Sequence, residues 1–362
     1  MSVLVVGMSH RSAPVALLER LSMDADVQHG TAAALVARPS LSEAMIISTC
    51  NRLELYLDAE LFHEAVDHAV AAISGTSGLA EHEADAFSWR NCLSEEGGSH
   101  LPVADGSDAL VVVVGEKGAG QRRLTVHGDA GHGSAPFGRD MAVAKIGEVA
   151  RRIAAIEPPV RSDELWEGYV RAWKFDPATE KALLAGEGYE AFGQLESYSH
   201  AMSHLTISPT VLRAGNAINV LPSVAWMELD IRPLPGQTQE DIDQVLRDAL
   251  GDLAGEVEIT PLITEDGTVS PTSGPLYDAI VSTFDEFFPG APVIPTIAAG
   301  GSDLRFARRK GGVGYGFALH GREETLGSVL GELHSHDESV AVEDVDLTVR
   351  AYRSLLRRFV GA

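Results

Sequence analysis

Five short stretches of this 362-residue chain hold side chains whose types and spacing can do chemistry. The first is Glu95-Glu96-Gly97-Gly98. Neighbouring carboxylates on a strand point to opposite faces, but at a strand end or turn both reach one site. There one binds a metal while the other takes a proton from metal-bound water. In an acidic chain the same pair also suits a plain solvated turn. The second is Gly131 to Pro136, where flanking glycines let the backbone hold His132 exposed and close to a ligand. Such an imidazole can donate to a developing oxyanion, or it is simply a loop histidine. The third pairs Asn219 with Arg232, which closes the strictly alternating Trp226–Arg232 run. A guanidinium there clamps a carboxylate with two parallel bonds, or it joins one of the many surface acids.

The fourth stretch, Gly300-Gly301-Ser302-Asp303, follows the apolar Ile294–Ile297 and offers bare amides to an anion, or an ordinary helix cap. The fifth, His334-Ser335-His336-Asp337-Glu338, has the density of imidazole and carboxylate that suits zinc, although paired histidines in loops are often surface residues. Cys50, inside Ser48-Thr49-Cys50-Asn51-Arg52, adds a thiol beside a guanidinium, which lowers a thiol's pKa and makes it a nucleophile; otherwise it is a buried strand-end cysteine.

The elements that must position these groups read as alternating strands and helices, an α/β pattern. Val3–Val6, Met45–Ile47 and Leu53–Tyr56 have strand character, and Phe62–Ile73 reads as a helix ended by Gly75 and Gly78. From about Glu81 to His100 the chain is polar and acidic without a clear period, which places a junction there. Ala109–Val114 is continuously apolar, as in a buried strand of a parallel sheet. Met141–Ile156, Asp241–Leu253 and Val342–Phe359 repeat apolar residues at helical spacing. In Trp226–Arg232, Met227, Leu229 and Ile231 point one way and Glu228, Asp230 and Arg232 the other.

Composition bounds the function. With 28 basic against 52 acidic side chains, the net charge is −24, which argues against a nucleic-acid binder or a polybasic membrane-surface protein. Two cysteines make no disulfide framework, so a cytoplasmic location is the expectation. The longest apolar run, Ala109–Val114, is too short to span a bilayer, and the N-terminus lacks the basic stretch and apolar core of a signal peptide.

The order of the motifs adds a reading that single motifs do not. Ser94 to Gly98, Gly115-Glu116-Lys117-Gly118 with Gly128 to Pro136, Asn219 to Gly236, Gly300 to Arg309, and His334 to Glu338 together resemble the zinc-dependent family of acetylornithine deacetylase, succinyl-diaminopimelate desuccinylase, aminoacylase and carboxypeptidase G. The resemblance spans about residues 93–362. It implies a zinc-exopeptidase-like α/β catalytic domain, N-terminally truncated, at 86–120 and 234–362, with an inserted α+β lid and dimerisation domain at 121–233. It implies Glu95 as general base, Glu96 and His334 as metal ligands, and His132 as the oxyanion donor from the lid, across a dimer. It further implies Asn219 and Arg232 on the substrate carboxylate, with Gly300, Gly301 and Ser302 lining the substrate site. The family's opening histidine and aspartate and its bridging aspartate have no counterpart before Glu95. Asp105, Asp108 and Glu116 are the candidates for the later acid, so the expected metal centre is incomplete and its zinc substoichiometric.

Residues 1 to about 85 resemble a second family, the N-terminal domain of glutamyl-tRNA reductase, through Gly7 to Pro14 and Ser48 to Arg52 with Glu54. That resemblance implies a small α/β domain in which Cys50 attacks an activated glutamyl ester, with Arg52, Asn51, Ser9 and His10 around the glutamate. No Gly-x-Gly-x-x-Gly follows a strand, so no NADPH site is evident, and a net charge of −8 over these residues suits tRNA poorly. The expectation is thus a metal-dependent hydrolase of N-acyl amino acids or small peptides with an incomplete metal site, homodimeric through its lid, without nucleic-acid or membrane partners. The alternatives are glutamyl-transfer cysteine chemistry and a fused product with neither activity.

Overall fold

The computed structural model describes residues 2–9, 15–49, 52–78, 90–94, 97–333, 335–336 and 338–360. The N-terminal unit is built from strand β1 (Ser2–Ser9), helices α1 (Val15–Leu21) and α2 (Ala25–Val36), strands β2 (Leu41–Thr49) and β3 (Arg52–Ala59), and helix α3 (Phe62–Ser77). Its sheet is antiparallel with β3 in the middle. Alternation sends Leu53, Leu55, Leu57 and Ala59 into one core with Leu18, Leu21, Leu35, Val66 and Ile73. Helix α3 runs through Gly75 and stops at Gly78, whose φ of 66° supplies the left-handed cap. Strand β1 pairs antiparallel with β3, unlike the parallel first strand of a dinucleotide fold.

The polar stretch read as a junction contains strands β4 (Asn91–Leu93) and β5 (Gly97–Pro102). Three residues are too few to show a period. In β5 the backbones of Gly97 and Gly98 lie so close to the Gly316 and Ala318 carbonyls that side chains are excluded where periodicity would be read. Strand β6 (Asp108–Glu116) is buried from Ala109 onward. It pairs antiparallel with β5, parallel with a later strand, β14 (Val293–Ala298), and antiparallel with the short β13 (Thr268–Val269). Ala109 and Val111 face one apolar layer, and Leu110, Val112 and Val114 the other. A strand covered on both faces reads as continuously apolar, which is why the sequence shows no alternation there.

The first of those layers comes from segments absent from the sequence expectation: α5 (Glu164–Ala172), α6 (Pro177–Leu184), a 3-10 turn at Tyr189–Leu195 and α7 (Glu196–Ser203); Trp166 and Tyr169 of α5, Trp173 just after it, and Tyr189 and Phe192 of the 3-10 turn pack together. The second comes from α9 (Pro275–Phe287) and the C-terminal α12 (Val342–Val360). Between them run the short helices α10 (Leu304–Arg309) and α11 (Leu326–Glu332), and strand β15 (Val313–Tyr315), which pairs parallel with β4.

The lid is a four-stranded antiparallel sheet in the order β12 (Val257–Pro261), β7 (Arg122–His127), β11 (Val224–Arg232), β9 (Thr206–Ala214). Helices α4 (Ala142–Ala154) and α8 (Gln239–Leu250) share its core with Ala225, Met227, Leu229 and Ile231. The Met141–Ile156 and Trp226–Arg232 signals therefore belong to one packed unit. Pairing of β12 with β7 carries that unit to Pro261, past the 121–233 read from the sequence, whereas α5 to α7 lie against β6 and β14. A short pair, β8 (Gly131–His132) with β10 (Val220–Leu221), projects from the sheet.

The N-terminal unit is not separate in its packing. Cys92 of β4 and Leu304 and Ala307 of α10 complete its core. Among the described residues no helix is long and apolar enough to cross a membrane.

Candidate functional site

Glu95, Glu96 and His334, the general base and metal ligands implied by resemblance, lie outside the described residues, as do Cys50, Asn51 and His10. Their neighbours are placed. Gly97 opens β5 against Val112, and buried Ser94 donates its amide to the Tyr315 carbonyl at 3.3 Å. In the N-terminal unit Arg52 is in register with Ser9 and with Thr49, so the strand ends of the Cys50 motif meet at one edge. Glu54, buried on β3, accepts from the Tyr56 hydroxyl at 3.0 Å.

At the head of the central sheet, β6 ends in Glu116, whose side chain is 1% exposed. Its carboxylate accepts from the Thr268 hydroxyl at 2.9 Å and from the Ser302 amide, and lies 3.4 Å from Arg308 Nη1. Arg308 donates through Nε to the Ser270 hydroxyl at 3.0 Å and through Nη2 to the Gly314 carbonyl at 2.8 Å. The Gly300-Gly301-Ser302 turn between β14 and α10 is thus tied to Glu116 through one amide, while Gly300 and Gly301 stay exposed. Lys117, buried next in the chain, donates to the His204 carbonyl at 2.7 Å and the Thr206 hydroxyl at 3.0 Å. Burial, reinforced by the positive charge of Arg232 and opposed by Asp230, pushes its ammonium down to about 7.

Lys117, His200 and His204 are functional candidates that the sequence reading missed. The two imidazoles stack 4.0 Å apart at i, i+4 along α7 and its end, with Tyr189 edge-on to both. Burial holds both rings below the usual histidine range. Their spacing was visible in the sequence, but nothing there pointed to the sheet end they face.

The lid brings two expected residues together. Val220 is in register with His132, and the Asn219 carbonyl accepts the Gly133 amide at 2.8 Å. His132 Nδ1 lies 2.7 Å from the Ser134 hydroxyl and accepts its amide at 3.2 Å, so the neutral ring carries its hydrogen on Nε2, free to donate. Arg232 is not with them. It sits at the other end of β11, a nine-residue strand, which spans about 26 Å. There it donates to Asp230 at 3.0 Å. Within one chain Asn219 and Arg232 therefore do not share a carboxylate.

The residues described do not fit a two-metal centre. Each candidate third ligand is held by a cation: Asp105 by Lys174 at 2.8 Å, Asp108 by Arg322 at 2.6 Å, with the His100 ring also 2.6 Å from it, and Glu116 by Arg308. Among the described residues no three His, Cys, Asp or Glu gather closely enough to hold a metal ion. His68 of α3 is hydrogen-bonded to the Ser40 hydroxyl at 2.8 Å. The other N-terminal grouping, Glu81-His82-Glu83, lies outside the described residues.

Comparison with known proteins separates the chain into two kinships. Residues 6–118 match the family model for the glutamyl-tRNAGlu reductase N-terminal domain, and residues 114–258 match the peptidase dimerisation domain. Glutamyl-tRNA reductase of Corynebacterium diphtheriae is 48% identical over 128 residues, 35% of this chain and 29% of that protein. The enzyme of Thermobifida fusca is 38% identical over 117 residues, 32% of this chain and 24% of that protein. The chain thus spans under a third of the length of these two relatives. An M20 family metallo-carboxypeptidase, Sso-CP2 from Sulfolobus solfataricus, shares the fold with a TM-score of 0.56 and 15% identity, covering 93% of this chain and 75% of that one. The chain thus joins a region that matches the glutamyl-tRNAGlu reductase N-terminal domain to one that matches the peptidase dimerisation domain, in a fold shared with Sso-CP2.

Proposed function

We propose that the larger part of the chain is an amide-hydrolase scaffold for N-acyl amino acids or small peptides whose metal centre is incomplete. Substrate binding then outlasts turnover. The observation that carries this reading is Glu116: among the described residues, the buried acid at the head of the sheet is already paired with Arg308. A carboxylate with its charge balanced and its oxygens bonded has little to offer a cation. Glu95 as general base, Glu96 and His334 as ligands, and Arg232 as carboxylate clamp remain the assignments. Zinc, or another divalent ion, is the cofactor, held weakly or singly. In domain terms the reading starts from 1–85 as the reductase-like unit, 86–120 and 234–362 as the catalytic part and 121–233 as the lid, with α8 and β12 taken into the lid and α5 to α7 into the catalytic part by their packing.

The same reading makes the chain a homodimer through the lid. Strand β9 pairs on one side only among the described strands, and Leu212 on it, with Val143 on α4, is exposed. Dimerisation would also bring His132 and Asn219 of one chain toward Arg232 of the other. Light scattering of the whole chain and of Leu212→Arg tests this: a dimer that the variant dissociates is expected, and a wild-type monomer sinks the dimeric site. Zinc content after dialysis, with turnover of an N-acetyl amino acid panel, tests the hydrolase reading. Less than one zinc per chain and slow turnover are expected. Two zinc ions with robust deacylation lost in Glu95→Ala would overturn it.

The sequence match of the first region favours a second reading, thiol chemistry at Cys50 on a glutamyl ester. A glutamyl thioester trapped on the chain and lost in Cys50→Ser supports it, and an unmodified Cys50 refutes it.

A further inference from the structure

The C-terminal helix α12 concentrates positive charge of which the fold pairs only part. Arg350, Arg353, Arg357 and Arg358 fall within nine residues of it, in a chain of net charge −24. With Ser354 and with Glu286 and Phe287 of α9, they line one open groove of about 630 Å³. The i, i+3, i+7 spacing of Arg350, Arg353 and Arg357 sets three guanidinium stems along one face. Asp346 accepts from Arg350 at 2.9 Å, and Glu286 accepts from Arg358 at 2.6 Å. Arg353 and Arg357 have no ion-pair partner among the described residues. Like charges three and four apart destabilise a helix. The helix dipole accounts for cations in the last turn, Arg357 and Arg358, but Arg350 and Arg353 stand too far from the end to benefit. Glu286 feels the charge of Arg357 as well as that of Arg358, so four arginines against the two carboxylates Asp346 and Glu286 leave the groove with an excess of positive charge.

We propose that this groove docks a short acidic segment, rich in Asp and Glu, of a partner protein. Bidentate guanidinium–carboxylate pairing supplies the recognition at Arg353 and Arg357. Phe287, with the Arg350 guanidinium 5.8 Å from its ring centre, gives an apolar floor for a neighbouring side chain of that segment. A long phosphate polymer fits less well. The Glu286 carboxylate stands in the groove, and the field of the whole chain repels an extended polyanion more than a few local carboxylates.

The test is fluorescence anisotropy of the full chain with a labelled peptide of Glu and Asp around one central Phe, at low and high salt. Saturable binding that weakens with salt is expected. Arg353→Glu with Arg357→Glu should weaken it about tenfold or more, while the same pair changed to Lys retains most of it. Both positions are exposed, so an unchanged thermal melt confirms that the variants fold. Absence of saturable binding at low salt overturns the proposal. So does binding indifferent to charge reversal, and so does a single-stranded RNA of equal length that competes at lower concentration than the unlabelled peptide.

Discussion

Replacing Arg308 by Met removes one partner of a pair in which Arg308 is 3% and Glu116 1% exposed. Deleting one member of a buried ion pair costs about 3–5 kcal/mol, because the remaining charge is buried without compensation. Glu116 keeps the Thr268 hydroxyl and the Ser302 amide, which sets that loss at the low end. The bonds from Arg308 to Ser270 and Gly314 go as well, and each is worth roughly 1 kcal/mol. The sum is a destabilisation of about 5 kcal/mol. Glu116→Gln keeps the shape and loses the charge, so the double variant should be less damaged than the two singles added together. A coupling of at least about 1 kcal/mol is expected from this cycle. Urea unfolding followed by tryptophan fluorescence gives all four stabilities, with equal m-values as the check on two-state behaviour. A loss below about 1 kcal/mol in Arg308→Met, or a coupling indistinguishable from zero, would show that Glu116 is not neutralised by this arginine. The argument against a metal there would fall with it.

Lys117 has a folded pKa of about 7, far below its ordinary value of 10.5. The unfolded chain binds the extra proton between those values, so this residue makes stability rise with pH from about 7 to 10, with a slope up to roughly 1.4 kcal/mol per pH unit. Lys117→Met should remove that rise from the difference between the pH 7 and pH 9 urea midpoints; an unchanged difference counts against the buried ammonium. Burial pushes the Cys92 thiol up to about 12, against the weaker opposing pull of Arg308. In Cys50→Ser protein a disulfide reagent at pH 8 should label no thiol until denaturant is added, and rapid labelling would contradict the shared core. Gly98 has φ 70° and no room for a Cβ beside the Ala318 carbonyl, whereas Gly138 has φ 73° and open space. Gly98→Ala should lower the melting temperature severely and Gly138→Ala by only about 1 kcal/mol equivalent; equal effects would refute the close approach.

The α/β class, the alternating lid strand and three long helices were legible because each buries one face and repeats it at its own period. Met227, Leu229 and Ile231 are buried as alternation requires, and α4, α8 and α12 fall within a few residues of their expected ends. Motif order also carried both kinships, since the spacing of Gly7 to Pro14, Ser48 to Arg52 and the glycine turns needs no knowledge of contacts. What one chain cannot encode locally is which distant groups meet. Glu116 and Arg308 are 192 positions apart, and their pairing exists only because β6 and β14 run parallel and α10 follows β14. The aromatic helices α5 to α7 and the strands β4 and β5 take their place from the surfaces they cover, not from a period of their own. The same holds for Asn219 and Arg232: thirteen positions apart in sequence, they are held at opposite ends of a rigid strand. Sequence therefore determined the elements and the chemical groups available, while long-range packing decided which acid is free, which is paired, and which end of the lid each group occupies.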